Sequence, residues 1–261
     1  MPLTAHLEGH GTLDATLTSP DASMRWENVY RTRPRRALTC VQCGVPMHAK
    51  VSGRGGRFFA HDRRTSSCAA SGETHEHRSL KRALAAAARE AGHRAELEVT
   101  AAHSGWRADV LVTAPGRRPI AFEAQVSSAS VDDVVARTLR YHDDGVAAVW
   151  FTHRATRWLR HVPAARLYRP ALPVGHWSRM HPHASTFSVV DCEEICNPRP
   201  FWHSRVHASW SDDGEERPLA RFVADVLHRR LVPRTTTTAL GTRYDGWASP
   251  DDIQAAADHG M

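Results

Sequence analysis

Two carboxylates near the middle of the chain are placed so that they could act together. Asp109 lies in the run 106–112 and Glu123 in the run 119–126, and a turn rich in Pro, Gly and Arg joins the two runs. Both runs are short and β-like, so they predict two paired strands. Alternate side chains of a strand share a face, so this pairing brings Asp109 and Glu123 together, with Gln125 beside them. Because two buried carboxylates repel each other, an oxygen-seeking cation of the magnesium class would compensate them.

A helix is predicted to lie against these strands. Residues 73–91 are strongly helical in composition and are followed by a glycine. At 100° per residue, Glu73 and His77 continue the apolar stripe that must pack on the sheet. Glu73 is therefore either a favourable charge in the first helical turn or a carboxylate that leans, with His77, over the pair Asp109 and Glu123. Glu76, at the edge of the stripe, is the second choice for that role.

The remaining elements of this region follow from periodicity. Strands are predicted at 93–100, 106–112, 119–126 and 146–151, and a second helix at 131–142 has the apolar stripe Val131, Val134, Val135 and Leu139. The resulting order is helix, three strands, helix, strand, which is an α/β core of αβββαβ type. A strand-helix-strand crossover predicts that the last two strands pair in parallel.

Cysteine and histidine spacing near the N-terminus predicts a metal site. A CxxC pair is followed by one histidine and one further cysteine: Cys40, Cys43, His61 and Cys68. This set matches the tetrahedral nitrogen and sulfur preference of zinc, and four protein ligands leave no open position for catalysis, so the zinc would be structural. The alternative is that Cys68 is a buried thiol and that His48 or His75 completes the site.

Charge favours a polyanionic partner. The net charge is +6 with a pI near 9.4, and Lys50 and Lys81 are the only lysines, so nearly all the positive charge is arginine. Arginine pairs with phosphate bidentately, which favours nucleic acid over a membrane. A basic run is either a phosphate-contacting surface or a solvated face; it contains Arg31, Arg33, Arg35 and Arg36.

Length and composition limit the classes of protein to which the chain can belong. The 261 residues have no signal-like start and no apolar run near the roughly 20 residues that span a bilayer. Five cysteines, an odd number with metal-like spacing, argue against a disulfide framework. We therefore expect a cytoplasmic protein with a β and zinc-knuckle region at 1–70, a core at 71–155, a partly helical extension at 156–234 and a flexible tail at 235–261. Within the extension a helix is predicted at 221–231, and a second candidate ligand set is Cys192, Cys196, His203 and His207.

Several short motifs together resemble a known family. Arg107-x-Asp109-Val110, followed by Phe122-Glu123-x-Gln125-x-Ser127, resembles the core of the PD-(D/E)xK nuclease fold in the form where glutamine replaces the usual lysine. The upstream motifs Phe58-Phe59-Ala60-His61 and Glu73-Thr74-His75-Glu76-His77 with Leu80-Lys81 narrow the resemblance to the competence protein CoiA-like family. It covers roughly residues 30 to 155, about half of the chain.

The resemblance implies a restriction-endonuclease-like fold and a Mg²⁺- or Mn²⁺-dependent deoxyribonuclease. In such a protein Asp109 and Glu123 would bind the ion together with the Ala124 carbonyl, and Glu73 would hold a second ion or orient the water. Gln125 would orient water without supplying positive charge. The alternative is a DNA-binding module that does not cut, with a degenerate nuclease fold and a structural zinc.

The resemblance also leaves the source of positive charge at the site open. Arg107 would either approach a phosphate or form a salt bridge with Glu123 or Asp109. Lys81, beside the core face of the first helix, is a candidate for the missing lysine.

Overall fold

The computed structural model describes residues 2–63, 68, 72–103, 105–168, 176–192, 206–211, 217–237 and 243–260. These residues form a mixed α/β structure with three β-sheets and four α-helices. Within this described part, no helix is both long enough and apolar enough to cross a membrane.

The N-terminal region is a five-stranded sheet with a small core of its own. Its strands are β1 (Thr4–Leu7), β2 (Gly11–Asp14), β3 (Leu38–Thr39), β4 (Pro46–Val51) and β5 (Arg57–His61), in the spatial order β2-β1-β3-β4-β5. Trp26 and Phe59 are buried and pack together at the centre of its core, with ring centroids 5.6 Å apart. This sheet holds Cys40, after β3, and His61, at the end of β5, close in space.

The central sheet contains the predicted core. Its elements are α1 (His75–Glu90), β6 (Arg94–Thr100), β7 (Arg107–Thr113), β8 (Ile120–Ala124), α2 (Val131–Asp143), β9 (Ala147–Thr152), β10 (Ala164–Tyr168) and β11 (His181–His183). The spatial order is β11-β10-β9-β8-β7-β6. The first six elements have the predicted αβββαβ order, and β8 pairs in parallel with β9 as expected from the crossover.

Helices cover both faces of the central sheet. Leu80 and Leu84 of α1 pack on one face with Phe122, and α3 (Leu219–Leu227) packs beside α1, with its Phe222 against Phe151 of β9. On the other face, α2 packs through buried Val134 and Tyr141. The prediction that Leu139 belongs to the buried stripe of α2 is wrong, since its side chain is 55% exposed. It points away from the sheet because the buried face of α2 runs through positions 134, 138 and 141.

Two predicted helix boundaries are also wrong. Helix α1 begins at His75 rather than at Glu73, because the Thr74 hydroxyl accepts a hydrogen bond from the His77 N–H and caps the helix. Helix α3 ends at Leu227 rather than at residue 231. Arg229 has a φ of 60°, in the left-handed region where helices commonly end.

The described residues of the C-terminal part form strands and a helix where a flexible tail is expected. A four-stranded sheet contains β12 (Thr186–Asp191), β13 (Val206–Ser211), β14 (Val232–Thr237) and β15 (Arg243–Ala248), and α4 (Pro250–Asp258) follows. Trp247 is fully buried, and its indole N–H donates to the Ala164 carbonyl of β10 at 2.8 Å. The threonine run is polar, but threonine is β-branched and favours strands, which explains the wrong prediction.

Candidate active site and metal centres

Asp109 and Glu123 meet where the ladder between β7 and β8 ends. On the side of the two carboxylates, this ladder ends with the pair Val110 and Phe122. Beyond it, carboxylates replace backbone carbonyls as acceptors: the Asp109 N–H donates to Glu123 Oε1 at 3.3 Å, and the Ala124 N–H donates to Asp109 Oδ2 at 2.9 Å. The two side chains therefore lie together at the end of the strand pair, as their spacing predicts, and both are buried.

The N-terminal end of α1 brings His77 and Glu73 to Asp109. His77 Nε2 lies 2.9 Å from Asp109 Oδ2, and His77 Nδ1 lies 3.5 Å from Glu73 Oε1. Ligand atoms of these three residues lie within 4.8 Å of one another. Glu73 Oε2 is buried and has no hydrogen-bond partner among the described residues. Glu76, the second choice for the role of Glu73, is exposed.

A buried lysine lies beneath this cluster. The Lys81 side chain is 0% exposed, contacts Glu73, and lies 2.5 Å from Glu98 Oε1 and 3.9 Å from Asp109 Oδ1. Since Lys81 is enclosed by three carboxylates, it neutralises the interior of the site and is not available to contact a substrate. We therefore assign Lys81 a structural role and do not assign it the role of the missing lysine.

Glu98 links the site to the N-terminal sheet and is a residue that the sequence analysis missed. Its carboxylate accepts hydrogen bonds from the Leu3 N–H at 3.0 Å and from the Thr4 hydroxyl at 2.6 Å, in addition to Lys81. Its backbone has a φ of 60°, a strained conformation for a residue other than glycine. Glu98 alternates with the apolar residues of β6, so its pattern predicts a solvent-facing side chain and gives no signal of burial.

Arg107 does not pair with Asp109 or Glu123. Its guanidinium lies 3.5 Å from Glu98 Oε2. The predicted salt bridge therefore forms with a different carboxylate, because Glu98 projects from the neighbouring strand β6 toward Arg107.

Glu123 faces α2 rather than the cluster around Asp109. The Tyr141 hydroxyl donates to Glu123 Oε1 at 2.6 Å, and the Arg137 guanidinium contacts Glu123 Oε2. Arg137 and Tyr141 were missed by the sequence analysis. The signal that could have identified them is their spacing of four residues on the face of α2 that also carries buried Val134.

Gln125 does not contact the two carboxylates in the structure. Its Oε1 accepts a hydrogen bond from Arg137 at 3.1 Å, and its Nε2 donates to the Ser127 carbonyl at 3.1 Å. In the structure Gln125 therefore contacts Arg137 and Ser127, and its role in orienting water stays a prediction.

The site is electrostatically asymmetric. Burial, together with the Asp109 charge, raises the pKa of Glu123 to about 7. Burial also acts against ionisation of Asp109, but His77 outweighs it and lowers the pKa of Asp109 well below its ordinary value. In return, although burial opposes it, Asp109 raises the pKa of His77. Asp109 is thus an ionised carboxylate near neutral pH, whereas Glu123 takes up a proton far more readily than Asp109 does.

The four residues predicted for the N-terminal metal site come together. Ligand atoms of Cys40, Cys43, His61 and Cys68 lie within 4.8 Å of one another, so Cys68 is the fourth member of the cluster. Neither histidine alternative belongs to it; His48 instead contacts Asp62 at 2.5 Å.

The spacing of this cluster suits a tetrahedral ion. Two sulfur ligands at about 2.3 Å from a tetrahedral zinc would lie about 3.8 Å apart. The Sγ atoms of Cys40 and Cys68 are 3.8 Å apart, and Cys43 Sγ lies 3.4 Å from His61 Nε2. Burial lowers the pKa of His61, which favours the neutral ring that binds metal.

The predicted nucleic-acid contacts lie on the surface of the N-terminal region. Arg31, Arg33 and Arg35 are exposed and Arg36 is partly exposed. Arg35 lies 3.7 Å from Asp62, and Arg31 lies over the Tyr30 ring. Of the second candidate ligand set, Cys196 and His203 lie outside the described residues.

Comparison with known protein families matches the central part of the chain. Residues 73–162, about a third of the chain, match the family model described as the competence protein CoiA, nuclease-like domain. A search of curated proteins and a search of solved structures gave no match. The matched stretch contains Glu73, His77, Asp109 and Glu123, together with Arg137 and Tyr141. Residues 73–162 of the chain are therefore similar to the nuclease-like domain of the competence protein CoiA.

Proposed function

We propose that this protein is a metal-dependent deoxyribonuclease with a PD-(D/E)xK core. The observation that carries the proposal is the contact between Asp109 and Glu123 at the end of a buried strand pair. This strand pair lies inside the stretch that matches a nuclease-like domain. The αβββαβ order of the core supports it, because that order holds both carboxylates on adjacent central strands.

The residues around Asp109 fit a divalent cation. Glu73 offers a buried oxygen without a hydrogen-bond partner among the described residues, and Asp109 and His77 offer two further ligand atoms nearby. Two carboxylates suit Mg²⁺ and Mn²⁺, and the imidazole nitrogen favours Mn²⁺ of the two. A bound ion would lower the pKa of a water molecule and neutralise charge on the scissile phosphate. That Glu123 also binds the ion stays a prediction, because its carboxylate faces Arg137 and Tyr141.

The residues of the chain have separate tasks in this proposal. Hydrolysis adds a water oxygen to phosphorus, breaks one ester bond and returns a proton to the departing oxygen. Glu123 is suited to accept the proton from the attacking water, because its pKa of about 7 lies near the working pH. Asp109, ionised and fixed by the Ala124 N–H, holds the cation side of the site.

We further propose that the Cys3His cluster binds a structural zinc ion. Four protein ligands would complete its tetrahedral shell, so the ion would stabilise the N-terminal region and would take no part in hydrolysis. The exposed arginines of the same region would contact DNA phosphates and would add affinity that does not depend on sequence.

A second function, DNA binding without cleavage, is favoured by two specific observations. Arg137 already neutralises Glu123, and position 125 has glutamine rather than lysine. The two functions differ in their response to loss of Asp109. An enzyme loses turnover, whereas a pure binding module binds DNA as well or better.

The experiment that tests the proposal is incubation of the zinc-loaded protein with linear, circular and single-stranded DNA in Mg²⁺, Mn²⁺ or EDTA. Asp109→Ala and Glu123→Ala are the test variants, and Glu76→Gln is the exposed control. Cutting that needs the metal and disappears in both test variants supports the nuclease. Metal-independent DNA binding without any cutting supports the binding module.

A further inference from the structure

Arg137 is held in a fixed position at the candidate active site. Its guanidinium carbon lies 4.5 Å from the centre of the Trp150 ring, and its two terminal nitrogens contact Gln125 Oε1 and Glu123 Oε2. Trp150 is fully buried and is itself anchored, since its indole N–H donates to the Thr138 hydroxyl at 2.9 Å. The cation–π contact with Trp150 and the two acceptors together restrict the guanidinium, so Arg137 is preorganised.

Gln125 is committed to holding Arg137. Its carbonyl oxygen accepts from Arg137, and its amide nitrogen donates to the Ser127 carbonyl and to the Ser127 hydroxyl, at 3.1 and 3.0 Å. These contacts use both polar ends of the side chain. The position that would supply a lysine in the resembled fold thus serves here to hold an arginine from α2.

Arg137 is also the accessible arginine at this pair of carboxylates. Lys81, the nearby lysine, is fully buried among Glu73, Glu98 and Asp109. The Arg137 side chain is 35% exposed. Among the described residues it has two side-chain acceptors, and a guanidinium has five N–H donors, so donors remain for a further ligand.

We propose that Arg137 binds the scissile phosphate and supplies the positive charge that glutamine at position 125 does not. This inference rests on the proposed nuclease function and adds a residue that contacts the substrate. A planar guanidinium presents paired donors to phosphate oxygens, so it can stabilise the negative charge that builds up on them during hydrolysis. Gln125 is then a positioning residue that acts through Arg137.

The test uses variants that remove and restore the charge. Arg137→Gln is expected to reduce the single-turnover cleavage rate about 100-fold or more. The double variant Arg137→Gln with Gln125→Lys places a lysine at the usual position and is expected to recover at least tenfold of that loss. Arg140→Gln, an exposed arginine on the same helix, is the matched control and is expected to cut within about threefold of the unmodified protein. Circular dichroism and zinc content establish that each variant is folded.

A second readout does not depend on cutting. Loss of one phosphate contact lowers the slope of log affinity against log salt by about one, so Arg137→Gln should show this change for DNA binding in EDTA, and Arg140→Gln should not. If the unmodified protein cuts but Arg137→Gln cuts equally well, or if the folded double variant shows no recovery, the inference is overturned while the nuclease stands. If no protein cuts, the nuclease proposal fails, and the salt slope alone decides whether Arg137 binds phosphate.

Discussion

Replacing Lys81 by methionine should destabilise the protein strongly, because it leaves buried carboxylates without a counter-charge. The Lys81 ammonium is fully buried, contacts Glu73 and lies 2.5 Å from Glu98. Removal of one partner from a buried ion pair costs about 3–5 kcal/mol. For a chain of this size we expect a fall in Tm on the order of 10 °C. Lys50→Met is a matched control, because Lys50 is the other lysine of the chain and is exposed; it should change stability by less than about 0.5 kcal/mol.

The assay is urea unfolding followed by tryptophan fluorescence, with the free energy of unfolding compared among four proteins: unmodified, Lys81→Met, Glu98→Gln and the double variant. If Lys81 and Glu98 interact as the structure shows, the loss of unfolding free energy in the double variant should be smaller than the sum of the two single losses by at least about 1 kcal/mol. A loss below about 1 kcal/mol in Lys81→Met, or strictly additive losses, would refute the reasoning.

Three further predictions concern pH, zinc and the C-terminal part. The metal-free protein should lose on the order of 3 kcal/mol of stability as pH rises from 5 to 8, because the pKa of Glu123 is raised to about 7 and that of His77 is also raised, so both groups bind protons more tightly in the folded state. Thermal melts of Glu123→Gln should show a flatter pH dependence, and a stability that rises with pH would contradict the prediction. Cys43→Ser should abolish zinc binding measured by elemental analysis and lower the Tm, whereas His48→Ala should keep the zinc, and the opposite pattern would show that the ligand set is wrong. Trp247→Ala should cost about 3–5 kcal/mol in urea unfolding, because it empties a fully buried site, and a negligible loss would mean that the C-terminal strand is not packed on the central sheet.

Local sequence patterns were sufficient to predict the order of the core elements. Strand alternation placed Asp109 beside Glu123, and helical periodicity brought His77 to Asp109, because both depend on spacing within one element and its neighbours. Glu123, which was expected to lie under His77 as well, faces Arg137 and Tyr141 of α2. The grouping of Cys40, Cys43, His61 and Cys68 was likewise predictable, since the metal preference of these residue types limits the choice of partners.

Contacts between distant elements were not predictable in this way. Glu98 is buried because β1 of the N-terminal sheet docks against it, and nothing in the pattern of β6 indicates that docking. The salt-bridge partner of Arg107 was predicted wrongly for the same reason, since that partner is the buried Glu98. Arg137 reaches Glu123 from a helix on the opposite face to α1, so its role depends on how α2 packs rather than on its spacing from the strands.

The strands of the C-terminal part were not predicted because their stability comes from tertiary packing. Thr235, Thr236 and Thr237 look like a polar linker when taken alone. In the fold, this segment pairs with β15, whose Trp247 is buried against β10. A short strand of polar residues is stable here because its partner brings the apolar surface.

The central claim is that Asp109 anchors a metal-dependent nuclease site. The most direct test is single-turnover cleavage of labelled DNA in Mn²⁺, compared between the zinc-loaded protein and its Asp109→Asn variant. Glu96→Gln, on the neighbouring strand, is the control. We predict that the unmodified protein and Glu96→Gln cut at similar rates, that EDTA stops both, and that Asp109→Asn cuts at least about 1,000-fold more slowly while it remains folded and zinc-bound. Equal cutting by Asp109→Asn, or no cutting by an unmodified protein that binds the same DNA equally well with and without Mn²⁺, would contradict the claim.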